Sequence, residues 1–249
     1  MSKGIPNIGN TCYFNTAIQC LAHVPMLTNK FLTDGPYTGD CALTREYSLF
    51  IRQLWAHQDL DPRALFTTFH TRFPQFTPGH QHDTHEAVLV IIDALEKSLG
   101  VEYMKTIFYG KEDQIVTYPG GTSTRPSEFS ALFVESPHKL SNYSKHIILS
   151  EYEDDAGKKY HAAALQTVIR ATPHCLMVVF TQKCPVEQVP LKFEGAHLFG
   201  IVIHAGISQG GHYAAFLKHR GQWQLFDDDA VSPMEPRGIC SMAWYKKFV

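Results

Sequence analysis

The sequence predicts an α+β fold, with helices in the first hundred residues and strands in the rest. Three observations carry this. Apolar residues early in the chain recur at the i, i+3, i+4, i+7 spacing of a helix with one buried face. Beyond residue 100 the pattern turns to period two with β-branched residues, as half-buried strands require. With 249 residues, 44% of them hydrophobic and 18% charged, the chain can bury a substantial core as one domain or two.

The first element grows out of Gly4-Ile5-Pro6-Asn7-Ile8-Gly9-Asn10-Thr11-Cys12-Tyr13. Two glycines, a proline and two asparagines make this a loop with little freedom. Phe14, Ala17, Ile18 and Leu21 then mark a helix, Asn10 or Thr11 is a suitable N-cap, and Val24-Pro25 ends the run. Cys12 falls in the first helical turn, where unpaired N–H groups and the positive end of the dipole favour a thiolate. The same loop aims backbone donors at one point, as an oxyanion site requires, and Asn7 can add a side-chain N–H. A free cysteine is more often a small core residue than a nucleophile. The reactive reading therefore needs a histidine and an acid elsewhere.

Residues 35–40 read as a loop. Tyr47, Phe50, Ile51, Leu54 and Trp55 mark a second helix packed in a core. Asp61-Pro62 predicts a cap and a proline at N1 of a short helix through Phe66. Gln81-His82-Asp83 precedes a third strong stripe, Val88, Ile91, Ile92, Leu95 and Leu99, closed by Gly100. Asp83 with Glu86 has the form of a capping box, although the polar cluster is dense for a cap alone. Histidine and aspartate also suit a metal, but no partner set completes a site.

Strands are predicted over 114–118, 128–134, 146–152, 165–169 and 176–181, with turns at 119–121 and 154–157. The acidic run 151–155 reads as a solvated edge. A buried strand over 198–204 leads into a loop at 205–211. Strands 212–218 and 222–226 follow, ending in Asp227-Asp228-Asp229. A two-residue turn at His219-Arg220 sets His212 opposite Asp227; a three-residue turn with Gly221 as a bulge sets it opposite Asp228. Either register brings an imidazole to a carboxylate, which fixes the tautomer and leaves the other ring nitrogen as a base. Gly210-Gly211 before His212 lets another backbone approach closely.

A net charge of −2 argues against nucleic acid as the main partner. No apolar run is long enough to span a bilayer, no secretory signal is read at the start, and Ser2 does not fit a myristoylation signal. The six cysteines contain no C-x-x-C, which is poor spacing for zinc and thin for a disulfide framework. A reducing, intracellular setting is expected.

Three separated pieces stand together: Gly-x-x-Asn-x-Gly-Asn-Thr-Cys-Tyr at 4–13, Gln-His-Asp-x-His-Glu at 81–86, and Gly-Gly-His-Tyr with Trp-x-x-Phe-Asp-Asp at 210–228. Together they resemble the ubiquitin-specific protease family of papain-like deubiquitinases, and 176–180 looks like a further palm strand. The resemblance implies a papain-like fold with a helical thumb at 1–100 and antiparallel β fingers and palm at 101–249, all one catalytic domain. It implies Cys12 as nucleophile, His212 as base and then acid, Asp227 orienting His212, Asn7 holding the oxyanion, and Asp228 as an auxiliary acid. Asp83 would contact the substrate tail, with Gln81 and His82 beside it. Gly210, Gly211 and Tyr213 would line a passage that admits only a Gly-Gly end, since a channel without room for side chains selects glycine by exclusion. The implied partner is ubiquitin or a ubiquitin-like modifier, met by a monomer without cofactor, metal, nucleic acid or membrane.

The chain also departs from the family. Its fingers lack the usual two zinc-binding C-x-x-C pairs, so they are truncated or held by packing. Ala87 stands where an aromatic or large apolar residue is usual, and His82 where glutamine is commoner. Two other classes compete: a module that captures ubiquitin without cutting, and another Cys-His-Asp enzyme such as an acyltransferase. Cys12, His212 and Asp227 together speak against the first, and Gly210-Gly211-His212-Tyr213 against the second.

Overall fold

The structure, a computed structural model, describes residues 3–140, 143–207 and 210–247. Helices α1 (Cys12–Ala22), α2 (Pro25–Thr33), α3 (Ala42–Trp55), α4 (Arg63–Arg72), α5 (Thr84–Leu99) and α6 (Val101–Phe108) come first. Strands β1 (Gly110–Tyr118), β2 (Gly121–Phe129) and β3 (Ala131–Val134) follow, then the single turn α7 (Pro137–Leu140). After it come β4 (Ser144–Leu149), β5 (Tyr152–Glu153), β6 (Lys159–Tyr160), β7 (Ala163–Ala171), β8 (Cys175–Pro185) and β9 (Lys192–Phe193). The chain closes with β10 (Ala196–Ile207), β11 (Gly210–His219), β12 (Gln222–Asp227), β13 (Ala230–Pro233) and β14 (Ile239–Lys246). The fold is α+β, as expected.

An eight-stranded sheet runs β13-β12-β11-β10-β14-β8-β3, with β9 added to β10. Its pairs are antiparallel except β3 with β8. Both faces are covered. Along β8, Cys175, Met177 and Val179 join the core beneath the helices, while Leu176, Val178 and Phe180 join a second core on the far face. That period of two on a strand buried on both sides explains its continuous apolar run. Buried α1 lies between α5 and β11, so the start of α1 meets the sheet where β11 begins.

A four-stranded sheet, β2-β1-β7-β4, stands apart from the large one. Tyr118, Tyr152 and Tyr160 cluster at its end, with Tyr118 at 4.8 and 4.7 Å from the other two ring centroids. Tyr160 donates its hydroxyl to Asp154 at 3.1 Å. Aromatic packing therefore holds this region, where no cysteine is present in the sequence.

Several expectations need correction. Residues 101–108 are helical rather than period-two, because Met104, Ile107 and Phe108 fall on one buried face. Pro25 opens α2 instead of only ending α1, since its fixed φ and missing N–H suit the first turn. Pro62 is itself the N-cap of α4, one position later than read, and Asp61 accepts the Arg63 N–H at 3.0 Å. The strand read at 128–134 is two strands in two sheets, broken after Phe129. The loop read at 205–211 is mostly strand, through Ile207 and again from Gly210; residues 208–209 lie outside the described residues.

Candidate active site

The loop before α1 is seated on the turn between β12 and β13. Ile5 donates its N–H to the Asp228 carbonyl at 2.8 Å. Gly4 sits so close that a Cβ there would overlap the Asp229 carbonyl, which explains the first glycine of the stretch. Gly9 and Asn10 turn the chain with φ of +116° and +53°. Asn7 Oδ1 accepts the N–H groups of Gly9 (3.0 Å) and Thr11 (3.3 Å). Only an oxygen can accept twice, so the Asn7 Nδ2 must point the other way, and it donates to Asp228 Oδ2 at 2.8 Å. Thr11 holds the N-cap position without capping; its hydroxyl instead takes the Ile8 N–H at 3.1 Å.

Cys12 is the first residue of α1 and is 2% exposed. Backbone N–H groups of Tyr213, Tyr13 and Cys12 itself stabilise its thiolate, but burial outweighs them and the Asp228 carboxylate adds to it, so the thiol is pushed up. This corrects the expected activated thiolate: the helix start offers its donors, and desolvation wins. The sulfur nonetheless lies against Tyr213, the residue after His212.

His212 Nε2 and Asp227 Oδ1 are 2.5 Å apart, each side chain 45% exposed. The register that brings them together is neither of the two expected. β11 and β12 join through a two-residue turn, Arg220-Gly221, with both residues at positive φ (+50° and +85°), so His219 pairs with Gln222. Extending that register sets Asp227 across from Ala214, two residues from His212 on the same face. The pair is thus a diagonal one, made as the ladder ends at Ala215 and Phe226.

Asp228 does not back His212. With φ of +50°, a conformation aspartate tolerates, it turns its carboxylate to Asn7 and to Asn15 Nδ2, the latter at 2.8 Å. Asn15 is 2% exposed and also donates to the Ile5 carbonyl at 3.1 Å. Asn15 was not singled out from sequence; its signal was a polar amide one turn beyond Cys12 in a helix buried along its whole length. His212, Asp227 and Asp228 offer ligand atoms within 4.8 Å of one another. Each carboxylate is already engaged by protein groups, Asp227 by His212 and Asp228 by the two asparagines, which accounts for the cluster without a metal.

Across the cleft, Gln81 grips Gly211 twice: its Oε1 takes the Gly211 N–H at 2.6 Å and its Nε2 donates to the Gly211 carbonyl. Tyr213 donates its hydroxyl to Asp83 Oδ1 at 2.5 Å. Asp83 therefore starts α5 without making a capping bond, and the capping-box reading gives way to a bond across the cleft. Burial, then that bond to Asp83, pushes the Tyr213 phenol far up, so it stays a donor. His82 borders the cleft, but its ring packs edge-on to Tyr13 and Phe76 at 5.2 Å from each.

Gly210 has open space where a side chain would go; Gly211 has none, because a Cβ would overlap His204 Nε2. The close approach expected here is made by the backbone of the neighbouring strand at Gly206, where a Cβ would overlap the Gly210 carbonyl and Gly211 Cα, and at Gly211 also by the His204 side chain. His204, 6% exposed, stacks on Tyr213 at 4.2 Å, and its Nδ1 contacts Lys183 Nζ. Burial and the Lys183 cation hold this imidazole below its ordinary value. His204 and Lys183 were not read as site residues; a histidine inside a buried strand, set across from Tyr213, was the available signal. Gln81, Asp83, Phe180, Lys183, His204 and Tyr213 line a cavity of about 380 Å³ beside the Cys12–His212 region.

Among the described residues, no helix is long and apolar enough to cross a membrane. A family model described as "Ubiquitin carboxyl-terminal hydrolase" matches residues 3–190 and 143–245. Ubiquitin carboxyl-terminal hydrolase 9 of Arabidopsis thaliana is 34% identical over 153 residues, 57% of this chain and 16% of that protein. Ubiquitin carboxyl-terminal hydrolase 15 of Xenopus tropicalis is 34% identical over 107 residues, 39% of this chain and 11% of that one. The chain thus spans a small part of the curated relatives it matches. In structure it is similar to a chain of the SAGA DUB module Ubp8/Sgf11/Sus1/Sgf73 bound to ubiquitin aldehyde. The TM-score is 0.76 at 19% identity, covering 98% of this chain and 69% of that one. A chain of that module bound to monoubiquitin gives 0.79 at 19% identity, covering 98% and 68%. These likenesses show the fold.

Proposed function

The chain belongs to the ubiquitin carboxyl-terminal hydrolase family, and from that premise we propose that it is a thiol-dependent deubiquitinase. It hydrolyses the peptide or isopeptide bond after the C-terminal Gly-Gly of ubiquitin or a ubiquitin-like modifier. The observation that carries this reading is the meeting of Cys12, at the start of a buried helix, with the strand that bears the His212–Asp227 pair.

Cys12 rests as a thiol, so its proton leaves as the sulfur attacks the glycine carbonyl. His212 takes that proton on Nδ1, the nitrogen left free by the bond of Nε2 to Asp227. Asp227 holds the ring and stabilises the imidazolium. Negative charge on the carbonyl oxygen is met by the Cys12 backbone N–H and by the second Nδ2 hydrogen of Asn7, whose first is tied to Asp228. His212 then protonates the leaving amine, and afterwards draws a proton from water that cleaves the thioester. An extended tail entering the cleft competes with Gln81 for the Gly211 backbone and passes Gly210, Asp83 and Tyr213. The same reading takes the chain as a single catalytic domain, monomeric, acting in a reducing intracellular setting without cofactor.

The test is release of a fluorophore from the C-terminus of ubiquitin. Wild type turns over and is captured by an electrophilic ubiquitin probe. Cys12→Ala binds ubiquitin and releases nothing. Full turnover by Cys12→Ala would end the assignment.

A further inference from the structure

Two thiols that the site does not use face each other in the second core. Cys184, near the end of β8, is the direct cross-strand partner of Cys240 in β14. Both belong to the apolar cluster on the sheet face away from the helices, 4% and 0% exposed, and neither is in a disulfide. Directly opposed residues of an antiparallel pair have Cα atoms about 4.5–5.5 Å apart. That lies inside the roughly 4.4–6.8 Å that a disulfide bridges without backbone movement.

The surroundings favour reaction at this pair over the other buried thiols. A hydrogen bond between the two draws the Cys184 thiol below its ordinary value and pushes Cys240 up. Cys20 and Cys175, by contrast, are both driven up by burial. The pair also sits where the two strands part. The ladder slips between Cys240 and Met242, Pro185 after Cys184 has no N–H to donate, and the neighbouring Ile239 is 45% exposed. A local opening there admits a small oxidant without unfolding the sheet.

We propose that Cys184 and Cys240 are a redox-modification site, forming a reversible cross-strand disulfide when the chain meets a peroxide. The Cys184 thiolate attacks one peroxide oxygen, the O–O bond breaks, and hydroxide leaves to be protonated to water. The Cys240 sulfur then attacks the resulting sulfenic acid, loses its proton, and expels the S–OH oxygen as a second water. Two thiols are oxidised by two electrons in all, and one hydrogen peroxide becomes two waters. The site is independent of Cys12. Its bridge pins the wall of the cleft, because Lys183 beside Cys184 holds His204, and Ser241 and Met242 beside Cys240 line the cavity.

The experiment treats the purified wild-type chain with hydrogen peroxide under native conditions. The protein is then alkylated in denaturant and digested without reduction. Mass spectrometry should find one linked peptide carrying Cys184 and Cys240, lost on adding dithiothreitol. The oxidised protein should melt about 5 °C higher than its reduced form, a gain absent in Cys184→Ser. Recovery of both cysteines as alkylated thiols, at peroxide levels that oxidise Cys12, overturns the proposal. So does Cys184 recovered as sulfinic acid with no link.

Discussion

Asp228→Asn separates two roles that one carboxylate combines. The wild-type side chain accepts from Asn7 and from Asn15, each at 2.8 Å. An amide keeps one acceptor, and its NH₂ repels the other donor. The oxygen should stay on buried Asn15, leaving the exposed Asn7 unheld. The stability cost is then about 1 kcal/mol, below the usual range for a bond to a charged group, since Asn7 faces solvent. Asparagine accepts the left-handed φ of +50°, so no backbone strain is added. A domain of this size should lose about 2–4 °C in Tm. Loss of a full oxyanion donor costs about 10²–10³ in kcat, and a donor that is merely unmoored should cost about 10–100-fold, with KM little changed. The thiol should move the opposite way. The Asp228 charge helps push Cys12 up, so neutralising it lowers the thiol pKa and raises the thiolate fraction at fixed pH. Iodoacetamide should therefore label Cys12 faster in the variant while ubiquitin–fluorophore turnover slows. Unchanged turnover, or labelling that slows in step with turnover, would refute the placement of Asp228 between Asn7 and the sulfur.

Three further outcomes follow from the geometry. Asp227→Asn should lower kcat by roughly 10²–10⁴ with ubiquitin binding retained, because the His212 tautomer is no longer fixed; equal losses in binding and turnover would point to misfolding. Gly210→Ala should leave the urea midpoint unchanged yet impair cleavage, while Gly211→Ala should cost about 2 kcal/mol or more by overlapping His204; paired urea melts and kinetics distinguish them. His23 is half-buried with its Nε2 shut off from solvent, and desolvation holds its pKa down at about 4, so the folded chain refuses a proton that the unfolded chain takes up below about 6.5. Stability should fall as pH drops from 6.5 toward 4, by about 2 kcal/mol between pH 7 and 5. Urea melts of His23→Leu should lack that component.

The long helices were legible because their apolar stripes run for about two to three turns, and the candidate site stood out because its residue types are few and ordered. The rest was hidden for physical reasons. α6 carries valine, tyrosine, threonine, isoleucine and phenylalanine, which read as strand until burial of Met104 and Phe108 decides the matter. β2 has almost no apolar residue and includes Pro126; it exists because β1 pairs with it along its whole length, at an edge where a proline is tolerated. The hairpin register failed on one residue, since arginine at positive φ is a poor guess for the first position of a two-residue turn. The resting state of Cys12 was misjudged because the helix start is visible in sequence while the depth of burial above it is not.

The seating of Gly4 and Ile5 on the β12–β13 turn gives the chain a mechanical handle. Any segment joined ahead of Lys3 pulls on backbone that touches Asp228 and Asp229 directly. Tension, bulk or docking at that end is thereby transmitted within two residues to the carboxylate that steadies Asn7, so the choice of fusion partner there is also a choice about catalytic rate.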